Sequence, residues 1–333
     1  MKTVVIGSGS WGTALAQVLC DNNADVMIYG KAESEVEDIN KNNQNSAYFG
    51  DLKINPGLKA TTDFSQVVDS DIYLLAVPSF AIESVCAQIN ESATKPFLVI
   101  TTAKGFHPKS FERMSVVIKD SFKDNPKFKE VISLIGPSHA EEVIQRMYTA
   151  INAVCENEEY AKEIQHLFSN QYLRVYTNTD VVGAEYGVAL KNAIAIASGV
   201  ISGLGCGDNT KAALLTRGLA EITRFGVACG GKMETYLGLC GLGDLIVTCT
   251  SVHSRNYQAG YAIGKADSAT EFLATNTKTV EGINTIRAVY HMAKEMNIDM
   301  PIINIAYKVL FEGMKPSESL ELLMNRKLVA ESR

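Results

Sequence analysis

Three glycines near the start of the chain have the spacing of a turn that binds phosphate groups. Gly7, Gly9 and Gly12 form GxGxxG directly after a short β-branched run and before a helical stretch that starts near Trp11. In such a turn the first glycine allows the tight bend, the second lets backbone approach a pyrophosphate, and the third lets helix and strand pack closely. Since GxGxxG alone is a weak signal, its position between strand and helix is what predicts a dinucleotide site.

The end of the second predicted strand bears on which dinucleotide is bound. An Asp or Glu at that point usually binds the adenosine ribose diol of NAD, but here the strand ends Tyr29, Gly30, Lys31. The ammonium group of Lys31 can neutralise a 2′-phosphate, which favours NADP(H). A solvated surface lysine is the alternative reading of Lys31, so NAD(H) stays open.

One lysine on an otherwise apolar helical stretch is the candidate for proton transfer. Lys191 lies in EYGVALKNAIAIASGVI, and its neighbours three and four positions along a helix are small or apolar. Desolvation on such a face lowers the pKa of an ammonium group toward the range where it exchanges a proton. The alternative is that the stem packs and the ammonium group reaches solvent. The stretch predicts Lys191 as a general acid and base, with Asn192 beside it to orient a carbonyl or hydroxyl.

The segment GLCGLGDLIVTCTSVHSRN holds a candidate partner for that amine and a candidate phosphate site. Asp244 follows closely spaced glycines and is predicted to hold the amine in place, and Thr248 offers a hydroxyl. Ser254, Arg255 and Asn256 form a compact set of donors suited to phosphate oxygens, with arginine as the fork-shaped one. A helix cap with a surface arginine is the alternative for these three residues.

Two further segments follow predicted strands. Lys104 in TTAKGF comes after the strand 97–101, and Gly136 and Ser138 in GPSHAEEV come after the strand 131–135. Doubly wound sheets bind ligands at the carboxyl ends of their strands, and a turn before a helix presents amides to anions. We therefore expect both segments to line one cleft with the glycine loop.

Two kinds of scaffold are predicted to position these residues. In the first half, apolar β-branched runs alternate with helical stretches, which predicts an α/β fold with a parallel, doubly wound sheet. The predicted strands are 4–6, 26–29, 72–77, 97–101, 131–135, 150–154 and 174–176. Beyond about Thr177 the apolar spacing is helical, which predicts an all-α second half. We divide the chain into a dinucleotide-binding domain, residues 1–182, and a substrate domain, residues 183–333, with the ligand cleft between them.

Composition excludes several classes of function. The chain has 333 residues, 46% hydrophobic and 20% charged, and a formal net charge of -6, so no global positive field attracts nucleic acid or anionic lipid. The longest apolar run, 193–207, is shorter than the ~18 residues that a membrane-spanning helix needs, and the N-terminus does not read as a signal peptide. The seven cysteines form no CxxC pair and the five histidines no metal-binding spacing. We expect a cytoplasmic protein without a metal site.

Several sequence blocks, in order, resemble the bacterial NAD(P)-dependent sn-glycerol-3-phosphate dehydrogenases. The blocks are GSGSWGTALA, TTAKGF, GPSHAEEV, LKNAIAIASG, TKAALLTRGLAEI, GLGDLIVTCTSVHSRN and TVEG, and they extend from Met1 to at least Pro301. The resemblance implies an N-terminal Rossmann domain followed by an all-α domain of the 6-phosphogluconate dehydrogenase C-terminal type. It implies reduction of dihydroxyacetone phosphate to sn-glycerol 3-phosphate with NADPH or NADH, which supplies the backbone of phospholipids.

The resemblance also assigns roles to individual residues. It implies that Lys191 is the proton donor and acceptor, and we expect Lys104 and Asp244 to assist it in catalysis. Implied cofactor contacts are Ser10, Trp11, Lys31, Lys104, Ala140, Arg255, Thr279 and Glu281. Implied substrate contacts are Lys104, Gly136, Ser138, Lys191, Asp244, Ser254, Arg255 and Asn256. Two positions depart from the family, namely Ser8, where alanine is frequent, and His139, where an aromatic or hydrophobic residue is common.

Two other functions fit parts of the same pattern. A related β-hydroxy acid dehydrogenase would need a carboxylate site in place of the phosphate site. A non-catalytic dinucleotide-sensing protein would bind the cofactor without turnover and would have no need for Lys191, Asp244 and Arg255 together. A homodimer is compatible with the sequence, which does not specify the oligomeric state.

Overall fold

The first half of the chain forms one eight-stranded sheet with helices on both faces. The computed structural model describes residues 1–328, 330 and 331, so the end of the predicted substrate domain, residues 329, 332 and 333, lies outside the described residues. The strand order is β3-β2-β1-β4-β5-β6-β7-β8. The strands are β1 (Lys2–Ile6), β2 (Asp25–Tyr29), β3 (Lys59–Thr61), β4 (Ile72–Leu75), β5 (Phe97–Thr101), β6 (Phe128–Ile135), β7 (Thr149–Val154) and β8 (Leu173–Asn178).

The central strands are apolar on consecutive positions because both faces of the sheet are covered. Every residue of β4 and β5 is buried, as expected for parallel strands between two helical layers. All seven predicted strands are present. The strand that the prediction missed, β3, has three residues and lies at the edge of the sheet, where little apolar burial marks it in the sequence.

The sheet differs from the prediction in one respect, because it is mixed rather than wholly parallel. Strand β7 pairs with β6 in the antiparallel sense, and β8 then pairs with β7 in parallel. A parallel crossover usually needs a helix long enough to cover the sheet. The connection between β6 and β7 contains only the four-residue helix Ala140–Val143, so the chain turns back instead.

The helices of the first half flank the sheet and those of the second half form the all-α region, which confirms the predicted fold class. The first set is α1 (Ser10–Asp21), α2 (Glu33–Glu37), α3 (Ser46–Phe49), α4 (Ile82–Ser92), α5 (Met114–Ser121), α6 (Ala140–Val143) and α7 (Glu158–Phe168). The second set is α8 (Val181–Gly203), α9 (Asp208–Ala228), α10 (Met233–Leu237), α11 (Asp244–Thr250), α12 (Arg255–Ala266), α13 (Thr270–Thr275), α14 (Glu281–Glu295), α15 (Pro301–Phe311) and α16 (Pro316–Met324). No helix in the described part of the chain has the length and apolar character needed to cross a membrane.

Helix α8 is the central element of the second half, and nearly all of it is buried. Its contact with α12 is unusually close because glycines lie at the crossing. A Cβ at Gly199 would lie 2.1 Å from the carbonyl oxygen of Tyr257, and a Cβ at Gly260 would lie 2.0 Å from that of Ile196. This close packing holds the N-terminal end of α12 against the middle of α8, where Lys191 and Asn192 lie.

The two halves share an interface built around one buried acid. The carboxylate of Glu185, on α8, accepts hydrogen bonds from the Ser115 backbone N–H at 3.0 Å and from the Ser115 hydroxyl at 2.6 Å. Arg113 adds an ion pair at 2.9 Å. An apolar cluster of residues from β6, β7, α8 and the segment before α11 lies alongside (Ile135, Val154, Val181, Ala184, Val188 and Cys240). These contacts fix the sheet's carboxyl edge against α8.

Candidate active site

The glycine loop has the shape that a pyrophosphate needs. Gly7 has φ +116°, and a Cβ there would lie 2.6 Å from the Ala76 carbonyl oxygen. A Cβ at Gly12 would lie 2.1 Å from the Gly7 carbonyl oxygen, so α1 packs directly on the loop. At Gly9 the nearest atom would be 4.0 Å away, which leaves open space over the turn.

The N-terminus of α1 is free to bind an anion. Its N-cap residue Gly9 offers no side chain, and the first turn contains no acid. The unsatisfied N–H groups of a helix's first turn attract negative charge. Ser10 and Trp11, the first two residues of the helix, border this turn, and Trp11 Nε1 is buried without a hydrogen-bond partner among the described residues. The residues present therefore fit a dinucleotide.

On the side of the glycine loop where β2 ends, the structure brings in an acid that the sequence analysis missed. Helix α2 places the Glu35 carboxylate against the loop, where it accepts hydrogen bonds from the hydroxyls of Ser8 and Tyr48. Burial and the Glu35 carboxylate raise the pKa of Tyr48. Lys31 is exposed. The prediction considered only the residues at the end of β2, whereas Glu35 lies within the short helix α2 that follows that strand. The hydroxyl of Ser8 was the available signal.

Lys191 is buried in the second half, facing two polar side chains of α11. Its Nζ lies 2.7 Å from Asp244 Oδ1 and 2.6 Å from Thr248 Oγ1. Asp244 and Thr248 are themselves buried and lie one helical turn apart. Burial lowers the pKa of Lys191 to about 8, although the Asp244 carboxylate acts in the opposite direction. An amine with this pKa can give up and recover a proton near neutral pH.

Lys104 connects this amine to the sheet. It follows β5, and its Nζ donates to the Gly136 carbonyl oxygen at 2.6 Å and to Ser138 Oγ at 3.3 Å. The same Nζ lies 3.3 Å from Asp244 Oδ2, which is an ion-pair contact rather than a hydrogen bond. Asp244 is thus flanked by Lys104 and Lys191, and the trio carries a net positive charge suited to an anionic substrate. The segments that follow β5 and β6 thus contact each other here, as expected.

A chain of amide hydrogen bonds extends from the Lys104 backbone across α8 and α12 to the start of α14. Asn192 Nδ2 donates to the Lys104 carbonyl oxygen at 2.7 Å, and Asn256 Nδ2 donates to Asn192 Oδ1 at 3.0 Å. The Gly282 N–H donates to Asn256 Oδ1 at 2.9 Å. Asn256 therefore joins α8, α12 and the start of α14 while one hydrogen of its amide stays available. The sequence analysis singled out Asn192 and Asn256 but did not foresee that they are linked.

The residues of the predicted phosphate site differ in burial. Ser254 is buried and caps α12, because its Oγ accepts from the Tyr257 N–H at 3.2 Å. Arg255 is exposed. The helix-cap alternative therefore describes Ser254 correctly, and its hydroxyl proton is still free to be donated to an anion.

The remaining predicted cofactor residues lie around this junction. Glu281 begins α14 and packs near the loop of Lys104, where burial raises its pKa while the Arg255 charge opposes that rise. Thr279 is exposed just before it, and Ala140 is buried at the start of α6. Neither has a polar side-chain contact that defines a role.

His139 lies at the start of α6, where the sequence analysis noted a departure. Its backbone is extended, and its ring lies 6.0 Å from that of His253. Burial, with a further contribution from the charge of Lys104, lowers the pKa of His139. The ring is thus neutral at pH 7, and it does not add to the positive charge of the site. Within the residues described, no three His, Cys, Asp or Glu side chains cluster as metal ligands would.

Comparisons with known proteins cover nearly the whole chain. Family models match at both halves: the NAD-dependent glycerol-3-phosphate dehydrogenase N-terminus over residues 2–161 and its C-terminus over residues 180–321. The glycerol-3-phosphate dehydrogenase [NAD(P)+] of Listeria monocytogenes is 47% identical over 326 residues, 98% of this chain and 96% of that protein. The Staphylococcus aureus protein of the same name is 46% identical, with 98% of each chain covered.

A solved structure agrees in three dimensions. The crystal structure of glycerol-3-phosphate dehydrogenase from Coxiella burnetii superposes with a TM-score of 0.89 at 31% identity, and the match covers 98% of this chain and 99% of that one. D-mandelate dehydrogenase with NADH, at 12% identity and a TM-score of 0.58, shares the fold alone.

Proposed function

The chain belongs to the NAD-dependent glycerol-3-phosphate dehydrogenase family, and from this premise we propose how its residues divide the work of the reaction. It is an NAD(P)-dependent oxidoreductase that reduces dihydroxyacetone phosphate to sn-glycerol 3-phosphate. The observation that carries the proposed roles is the buried amine of Lys191, hydrogen-bonded to Asp244 where the helical half meets the carboxyl edge of the sheet.

The glycine loop is proposed to hold the nicotinamide dinucleotide. Gly7, Gly9 and Gly12 with the start of α1 would receive the pyrophosphate, since the loop is open above Gly9 and the first turn is uncapped. The further proposed cofactor contacts are Ser10, Trp11, Lys31, Lys104, Ala140, Arg255, Thr279 and Glu281. When bound, the reduced nicotinamide supplies a hydride.

Lys191 is proposed to move the proton of the reaction. Its charged amine would donate a proton to the carbonyl oxygen of the substrate as that oxygen becomes a hydroxyl. Asp244 and Thr248 hold the amine in one position, so little reorganisation is needed at the moment of transfer. Lys104 adds positive charge beside the same oxygen. In the reverse direction the neutral amine would accept the proton.

The substrate phosphate is proposed to bind between α12 and the turn after β6. Arg255 is exposed and can offer its planar fork, and the hydroxyl of Ser254 and the remaining amide hydrogen of Asn256 lie in the same turn. Gly136 and Ser138 would contact the other side of the substrate, next to Lys104. In this assignment residues 1–182 hold the cofactor and residues 183–333 complete the substrate site.

The direct test follows the absorbance of NADH or NADPH with purified protein and dihydroxyacetone phosphate. Oxidation of either coenzyme that requires the phosphorylated ketone, and that glycerol 3-phosphate reverses with the oxidised coenzyme, is expected. Unphosphorylated dihydroxyacetone and a β-keto acid serve as controls. Turnover on the β-keto acid without turnover on the phosphorylated ketone would contradict the proposed site.

Three features beyond the chemistry are proposed as well. The product would supply the glycerol phosphate backbone of phospholipids. The reaction would take place in the cytoplasm, a compartment in keeping with the seven cysteines, all of which are free thiols. A homodimer is proposed for the assembly, and light scattering on the purified protein would measure its mass.

A further inference from the structure

One acid outside the catalytic cluster is held against the cofactor loop by two neutral hydroxyl groups. Ser8 Oγ donates to Glu35 Oε2 at 2.5 Å, and the Tyr48 hydroxyl donates to Glu35 Oε1 at 3.3 Å. Neither hydroxyl neutralises the negative charge. The carboxylate is therefore fixed in direction and keeps its charge beside the loop.

Ser8 is itself held in place by the backbone around it. Its carbonyl oxygen accepts from Asn45 Nδ2 at 2.7 Å and from Thr13 Oγ1 at 3.2 Å, and the residue is buried. A Cβ at Gly30 would lie 2.4 Å from Ser8 Oγ. The hydroxyl of Ser8 therefore occupies the room that a side chain at the end of β2 would need.

The acid that Rossmann sheets usually place at the end of the second strand is missing at Gly30, and Glu35 reaches the same neighbourhood from α2. Tyr48, which holds Glu35, also borders the open face of the loop, because its hydroxyl would be 4.0 Å from a Cβ at Gly9. The carboxylate thus lies beside the space left for the cofactor, on the side of the loop where β2 ends.

We propose that Glu35 determines the choice of coenzyme, by accepting hydrogen bonds from the adenosine ribose diol of NADH and repelling the 2′-phosphate of NADPH. Ser8 and Tyr48 act as positioning residues that aim the carboxylate. The inference rests on the proposed function only in that the glycine loop binds a nicotinamide dinucleotide. It reverses the preference expected from Lys31, whose exposed ammonium group is free to move away from the site, whereas Glu35 is held in place.

The test measures coenzyme affinity without substrate, through the fluorescence of Trp11, the single tryptophan of the chain. The wild type is expected to bind NADH more tightly than NADPH. Glu35→Gln keeps the size of the side chain and removes its charge, so it should shift the ratio of the two dissociation constants toward NADPH by about tenfold or more. Ser8→Ala, which releases the carboxylate, should shift the ratio in the same direction by less.

The matched control is Glu37→Gln, which removes the same charge from the same helix, where Glu37 pairs with Lys41 at the surface. It should leave the ratio unchanged. A wild type that binds NADPH more tightly, or a ratio that Glu35→Gln does not move, would overturn the inference while leaving the proposed reaction intact. Failure of both coenzymes to bind to the folded wild type would overturn the proposed function together with this inference.

Discussion

The two ends of the proposed cleft are built from different kinds of chemical group. At the glycine loop the groups available to a cofactor are backbone N–H groups from residues 7–12, and what matters is the absence of side chains. Around Lys191 the groups are buried side chains from α8, α11 and the loop after β5, brought together from distant parts of the sequence. Binding at the first end depends on local backbone shape, and chemistry at the second depends on a few charges whose positions the whole fold sets.

The largest effect is expected at the Lys191 end, whose groups come from distant parts of the sequence. Replacing Lys191 by alanine removes the proton donor, and kcat for dihydroxyacetone phosphate reduction should fall by about 10²- to 10⁴-fold. Affinity for the coenzyme should change little, because the glycine loop is untouched. Steady-state kinetics and Trp11 fluorescence measure the two quantities.

Two variants accompany that measurement. Lys191→Met keeps most of the aliphatic stem and should lose as much activity as Lys191→Ala, while Lys265→Ala, at an exposed position of α12, should behave like the wild type. If kcat for Lys191→Ala falls by less than tenfold with the fold intact, Lys191 is not the proton donor.

The glycine loop is expected to respond to a single added methyl group. In Gly12→Ala the new Cβ would meet the Gly7 carbonyl oxygen at 2.1 Å, so α1 must move away from the loop. Since a displacement of about 1 Å can cost about 10²-fold in catalysis, kcat/KM for the coenzyme should fall by that order, and the melting temperature should fall as well.

The variant Gly9→Ala separates the effect on the coenzyme from the effect on thermal stability. Its Cβ would enter the open space over the turn, and the backbone there already has φ -67°, so thermal stability should stay close to that of the wild type. Coenzyme affinity should still fall, because the methyl group occupies room that the pyrophosphate needs. Normal affinity in Gly9→Ala would show that the cofactor does not approach the backbone at this glycine.

These two ends also explain what sequence reasoning could and could not predict. The glycine loop was readable because strand, turn and helix follow one another in the chain. Lys191 was recognisable as a charge in apolar surroundings, and Asp244 was named as its partner, a contact that the structure contains. The direction of β7 and the approach of Glu35 to Ser8 were not readable, because a short connection and a short helix are positioned by tertiary packing.

A smaller effect should appear when the charge beside the amine is removed. The Asp244 carboxylate raises the pKa of Lys191, against the lowering by burial to about 8. Reduction needs the protonated amine, so wild-type kcat should fall as pH rises through about 8, while the reverse reaction should gain. In Asp244→Asn the pKa of Lys191 falls further, and both pH profiles should move to lower pH by about 1 to 3 units.

The pH profiles of kcat in both directions measure this shift. Asp208→Asn, which changes an exposed acid at the start of α9, is the control for the change in net charge and should leave both profiles in place. Coinciding profiles for Asp244→Asn and the wild type would mean that the titration of Lys191 does not limit the rate.

The smallest effect expected is at Thr248, whose hydroxyl lies 2.6 Å from Lys191 Nζ. Thr248→Val keeps the volume and removes this hydrogen bond together with the one that the same hydroxyl donates to Asp244 Oδ1 at 3.3 Å, so the amine loses orientation but keeps its charge partner. We expect kcat to fall by about tenfold, with KM for the coenzyme unchanged and with Thr248→Ser restoring most of the rate. A loss of coenzyme affinity in Thr248→Val would show that the two ends of the cleft are coupled rather than built independently.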